Sequence, residues 1–128
     1  MVCLDTDFLI GLDRRQQQAI SKINGIIQKD ELVFTTIVNV AEYYAGAFKS
    51  GDKNAIEMAK QYIKDFSVLL LDEQSALVWS KLYNEMKASS IADRDLFIAS
   101  IAIANKQTLM TRNLKHVERV PDLKVESW

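Results

Sequence analysis

The sequence predicts an α/β fold, a three-layer α/β/α arrangement with a central parallel sheet of four or five strands. Two observations predict it. Four short apolar runs each end in Asp or Thr, and between them lie segments whose apolar residues recur every three or four positions. Short apolar runs with no alternation read as strands covered on both faces, and three-to-four spacing reads as helices lying on a surface. Right-handed crossovers between parallel strands place those helices on both sides of the sheet.

Taken in order, the strands are residues 2–4 ending in Asp5, residues 32–34 ending in Thr35 and Thr36, residues 68–71 ending in Asp72, and Leu109-Met110 ending in Thr111. Val125, after Pro121, finishes a fifth strand at the edge. The helical stripes are Ile20, Ile23, Ile26 and Ile27; then Val38, Ala41, Ala45 and Phe48; then Ile56, Ala59, Ile63 and Phe66; then Ala76, Trp79, Leu82, Tyr83 and Met86. Residues 96–104 are apolar on every side and slimmed by Ala99, Ala102 and Ala104, which predicts a buried helix packed closely on the sheet. Ser50-Gly51-Asp52 is a turn between two helices.

With 128 residues, 48% hydrophobic and 26% charged, the chain is expected to form one domain, 1–128, around one core. Sixteen Lys plus Arg against seventeen Asp plus Glu leave a net charge of −1, so nucleic acid, if bound, is held by a local patch. Lys106, Arg112, Lys115 and Arg119 are such a patch in sequence, or else a solvated basic face. Cys3 is the single cysteine, which excludes an internal disulfide and thiolate zinc sites. No basic leader precedes an apolar stretch at the start, and residues 96–104 fall short of the roughly 20 residues of a membrane helix. The expected location is the cytoplasm.

In an open parallel sheet, ligands bind beyond the carboxyl ends of the strands. Asp5 closes the first strand, Glu42 lies about two turns into the helix after the second, Asp95 opens the buried helix, and Asn113 follows the fourth strand. Each also has a structural reading: Asp5 as a helix cap, Asp93 and Asp95 as caps or dipole partners, Asn113 as a turn residue, Glu42 as a solvated acid. Glu42, however, sits in a segment, residues 38–47, that is otherwise almost free of charge. Two carboxylates about 4 Å apart repel by roughly 4 kcal/mol at an effective dielectric of 20, so three converging acids call for a cation. Oxygen donors without cysteine or clustered histidine suit Mg²⁺ or Mn²⁺. The lone histidine, His116, reads as an ordinary surface residue or as a general base. The aromatic residues Trp79, Tyr43, Tyr44, Tyr62 and Tyr83 read as core or dimer packing before base stacking.

Assembled in order, these pieces resemble the PIN-domain ribonucleases, specifically the VapC-like toxins of toxin–antitoxin pairs. The matching pieces are Leu4-Asp5-Thr6-Asp7, Val40-Ala41-Glu42-Tyr43-Tyr44-Ala45-Gly46, Asp95-Leu96-Phe97-Ile98-Ala99, Thr111-Arg112-Asn113 and the ending from Val120 to Trp128. The resemblance implies a metal-dependent endoribonuclease with Asp5, Glu42 and Asp95 as the acidic triad. Asp5 and Asp95 would hold Mg²⁺ or Mn²⁺ most directly, Glu42 would complete the shell, and Asn113 would stand at its edge. Thr6, Thr111 and Arg112 are the candidate substrate contacts. A homodimer, a small antitoxin partner and an RNA substrate are implied as well. Two features depart from the family's pattern or leave it open. His116-Val117 stands where many relatives carry an acid followed by Phe, and Asp7 and Asp93 compete with Asp5 and Asp95 for places in the metal shell. The rival readings are a catalytically inactive PIN-like binding module and a haloacid-dehalogenase-like phosphatase with Asp5 as nucleophile.

Overall fold

The computed structural model describes residues 1–86 and 91–128. In chain order the elements are β1 (Val2–Leu4), α1 (Thr6–Asp13), α2 (Gln17–Gln28), β2 (Val33–Thr36), α3 (Ile37–Lys49) and α4 (Ala55–Ile63). They continue as β3 (Ser67–Leu69), α5 (Glu73–Glu85), α6 (Asp93–Ala104), β4 (Thr108–Met110), α7 (Leu114–Val117) and β5 (Lys124–Glu126). The five strands form one sheet in the order β3-β2-β1-β4-β5, and every pairing is parallel. This is the predicted three-layer α/β/α architecture, with β5 as the expected edge strand.

The central position of β1 explains its unbroken apolar run. Val2 and Leu4 enter a core with Phe8, Leu9, Ala19, Ile26, Val40 and Ile63 from α1 to α4. Cys3, between them, enters the opposite core with Ile98 and Ala102 of α6. Burial pushes the Cys3 thiol up to about 12, so it stays neutral and behaves as a small apolar side chain. Helix α6 is itself buried on two sides. Ile98 and Ala102 face the sheet, whereas Leu96 and Ala99 pack with Leu82 and Trp79 of α5. Fully buried Ala99 and Ala102 let the backbone come close. Ser100 does not break the pattern, because its hydroxyl donates to the Leu96 carbonyl at 2.7 Å.

Several sequence expectations need correction. The third strand is Ser67–Leu69, not residues 68–71, and Leu70 is 62% exposed. The ladder ends there because its partner β2 stops at Thr36, opposite Leu69, where the chain turns into α3. Likewise β2 begins at Val33 and runs through Thr35 and Thr36, leaving Leu32 outside the core. Buried Thr35 is accommodated by donating its hydroxyl to the Leu4 carbonyl at 2.8 Å. Ile27 and Phe48 are exposed although their spacing put them on apolar stripes. Tyr43, Tyr44, Tyr62 and Phe66 pack against the core of α1–α4. Gly51, in the predicted turn, has φ of 72°, a left-handed conformation that favours glycine. Among the described residues, no helix is long and apolar enough to cross a membrane.

Candidate active site

The strand order reverses at β1, with β2 and β3 on one side and β4 and β5 on the other. Connections leaving β1 and β4 diverge, and a crevice opens beyond their carboxyl ends. Its volume is about 80 Å³, and Asp5, Thr6, Asp7, Asn39, Glu42, Asp95, Thr111 and Asn113 line it, with Ile98, Leu109 and Val117 as its apolar part.

Asp5 follows β1 directly and caps α1, its Oδ1 accepting the Phe8 N–H at 3.1 Å. The capping reading and the site reading therefore hold for one side chain. Burial is the main cause that pushes its carboxyl from 3.8 up to about 6. Hydrogen bonds from the Thr111 hydroxyl and the Phe8 N–H oppose that rise, and the charges of Asp7 and Glu42 add to it.

Glu42 is positioned by a chain of hydrogen bonds that starts at the end of β2. The Thr36 hydroxyl donates to Asn39 Oδ1 at 2.7 Å, Asn39 Nδ2 donates to Thr6 Oγ1 at 3.0 Å, and the Thr6 hydroxyl donates to Glu42 Oε1 at 2.7 Å. Thr36 also caps α3 by accepting the Asn39 N–H at 3.1 Å. The other Glu42 oxygen, Oε2, lies 3.5 Å from Arg94 Nη1. Asp95 sits in the first turn of α6, where the helix dipole favours an anion, and its Oδ2 lies 3.8 Å from His116 Nδ1. Thr111 accepts the Asn113 N–H at 3.0 Å, fixing the turn into α7.

Thus Asp5, Glu42, Asp95, Asn113, Thr6 and Thr111 meet in the crevice as the sequence suggested, and Asp7 joins its lining. Asp93 is exposed and does not line it. Arg112 is not in the lining either: its guanidinium lies 3.6 Å from the centroid of the Trp128 ring and hydrogen-bonds Gln18. The basic cluster read from the sequence also separates in space. Lys106 precedes β4 and so sits at the amino edge of the sheet, whereas Lys115 lies on α7 past its carboxyl edge. Sequence reasoning missed Asn39, which is fully buried, and Arg94. Asn39 was discoverable as the residue one helical turn before Glu42 and three after the cap Thr36.

The donors are hard oxygens, and a carboxyl pushed up chiefly by burial, with neighbouring acids adding to it, is one whose proton a divalent cation can replace. Among the described residues, no three His, Cys, Asp or Glu side chains stand close enough to hold one ion together. Glu42 accepts from Thr6 through Oε1 and pairs with the exposed Arg94 through Oε2. The chemistry of the donor set fits Mg²⁺ or Mn²⁺.

A parallel sheet with this acidic crevice at its switch point defines a class, and the sequence pattern of the PIN domain matches residues 2–123. The chain belongs to the PIN domain family. Within that family it is VapC-like: it is 30% identical over 129 residues to Ribonuclease VapC1 of Haemophilus influenzae, covering 98% of this chain and 96% of that protein. The structure of VapBC-1 from nontypeable Haemophilus influenzae superposes with a TM-score of 0.85 at 27% identity, covering 100% of this chain and 98% of the other. DNA-bound VapBC from Salmonella typhimurium shares the fold, with a TM-score of 0.86 at 22% identity over 100% and 99% of the two chains.

Proposed function

We propose that the protein is a metal-dependent endoribonuclease that hydrolyses RNA phosphodiester bonds, the toxin of a toxin–antitoxin pair, acting in the cytoplasm as one domain of residues 1–128. The observation that carries this reading is the meeting of Asp5, Glu42 and Asp95, from three separate elements, in one crevice beyond β1 and β4. Kinship with VapC ribonucleases supports the activity class, and no feature of the crevice calls for the phosphatase alternative. A bound Mg²⁺ or Mn²⁺ supplies charge to activate water and to stabilise the phosphate and the leaving oxygen.

Asp5 and Asp95 hold the cation, Glu42 completes its shell or orients the attacking water, and Asn113 stands at the rim. Thr6 orients Glu42 through its hydroxyl and Thr111 does the same for Asp5; of the two, Thr6 is the substrate contact in this reading, since Thr111 is buried. Arg112 is better read as a clamp on the chain end than as a substrate contact. The small antitoxin partner follows from the likeness to the VapBC-1 assembly. The homodimer follows from the family resemblance, and sedimentation at tens of micromolar showing only a monomer mass would remove it.

Asp95→Asn tests the mechanism. It keeps size and hydrogen bonding but removes one negative charge. It is expected to slow Mg²⁺-dependent cleavage of single-stranded RNA by about a hundredfold or more, the rate equivalent of the several kcal/mol a cation contributes, with the melting curve of the metal-free protein still cooperative. Parental cleavage by a folded variant contradicts the assignment.

A further inference from the structure

We propose that His116 is a nitrogen ligand of the cation bound at Asp95, and that it shifts the preference of the site from Mg²⁺ toward Mn²⁺. The inference rests on the proposed metal-dependent reading of the crevice and adds to it a donor of a different kind.

The geometry carries it. His116 Nδ1 lies 3.8 Å from Asp95 Oδ2. That is beyond the 2.7–3.2 Å of an N–H···O hydrogen bond. It falls within the span of two donors that share an ion, about 3 Å for bonds of about 2.1 Å at a right angle and about 4.2 Å for opposed ones. His116 is not itself among the residues lining the crevice, but it stands at the rim on the short helix α7, between Asn113 and Val117, which both line it. Asp95 comes from the first turn of α6, so the two donors approach from different elements. The His116 side chain is 62% exposed, so it moves to an ion at little packing cost.

The chemical consequence follows from ligand type. Mg²⁺ keeps to oxygen and gives up its waters reluctantly, whereas imidazole favours transition metals, among which Mn²⁺ also accepts carboxylates. A crevice of Asp5, Asp95 and Glu42 alone would discriminate weakly between Mg²⁺ and Mn²⁺. One imidazole tips that balance.

His116 is the single histidine of the chain, so an imidazole signal from the untagged protein has one source. The experiment is pulsed EPR of Mn²⁺ added to the untagged full chain and to its His116→Gln variant, with Mg²⁺ competition followed by the free-Mn²⁺ signal. The parent is expected to show ¹⁴N modulation from a coordinated imidazole, and the variant to lose it. The variant should also lose about tenfold in Mn²⁺ affinity, the lower end of what removing a metal-site partner costs, with much less change for Mg²⁺. Bound Mn²⁺ without nitrogen modulation in the parent overturns the role of His116 and leaves the metal reading standing. Modulation that persists in the variant overturns it equally. Mn²⁺ that stays free with both proteins overturns both readings together.

Discussion

Asp5 caps α1 and lines the crevice, and the electrostatic demands on its carboxyl conflict. Capping α1 and accepting from Thr111 favour the carboxylate, yet burial outweighs them and pushes the group to about 6. Since 3.8 is its ordinary value, the folded protein binds this proton more tightly than the unfolded chain does. The contribution of Asp5 to stability is therefore greatest below about pH 4, declines as pH rises from about 4 to 6, and is a full penalty above that. Asp5→Asn removes the penalty and retains a good capping side chain. In EDTA the variant is expected to be more stable than the parent at pH 7, by on the order of 2–3 kcal/mol, and nearly equal to it at pH 4. Urea unfolding at both values checks this, and an equal gap at the two pH values contradicts it. The sequence showed Asp5 as a strand-end acid but left cap and site as rivals, because spacing cannot reveal that one side chain caps a helix with Oδ1 while lining a crevice.

Helix α3 illustrates how an element is built to aim one side chain. Thr36 starts it, Asn39 follows within the first turn, and Glu42 comes one turn later on the same face, so the hydrogen-bond chain from Thr36 to Glu42 follows from helical period. Glu42 was legible because it is the one charge in an apolar segment. Asn39 was not, because an amide in a helix gives no signal until its buried partners are known. Asn39→Ala leaves the buried Thr36 hydroxyl without its acceptor and is expected to cost about 1–3 kcal/mol while also lowering cleavage, because Thr6 loses the amide that fixes its hydroxyl toward Glu42. Asp72 provides the comparison. It caps α5 by accepting from the Ser75 N–H at 2.9 Å and the Ser75 hydroxyl at 2.7 Å, and it does not line the crevice. Asp72→Ala should lower the melting temperature and leave the rate of RNA cleavage alone. If both variants lose only stability, the Asn39 chain is a helix cap and not a device for positioning Glu42.

At the scale of the molecule, the order of strands and helices was readable because a doubly covered parallel sheet writes itself as apolar runs separated by amphipathic stripes. The exposed Leu70 and the outward Arg112 were not readable, since each depends on what the rest of the chain brings alongside. For Arg112 that neighbour is the chain end. Beyond β5, Trp128 returns to α1, where its ring meets Phe8 edge-on at 4.8 Å between centroids and fills the space above Gly11. A Cβ on Gly11 would stand 2.9 Å from Trp128 Cη2, so the absence of a side chain there is part of the fit. Arg112 covers the ring from outside, and Lys22 of α2 pairs with Glu126 of β5 at 2.5 Å. The edge strand β5, only three residues long, is thus held by its tail as well as by β4. Trp128→Ala is expected to cost about 2 kcal/mol, below the 3–5 of a fully buried tryptophan because this ring is half-buried. Arg112→Ala should cost less, and the double variant less than the sum, with a coupling of about 0.5–1 kcal/mol from the cation–π contact. Urea unfolding of the four proteins gives that coupling, and RNA cleavage by Arg112→Ala gives the second arm. Additive losses together with a large drop in cleavage would return Arg112 to the substrate side of the crevice.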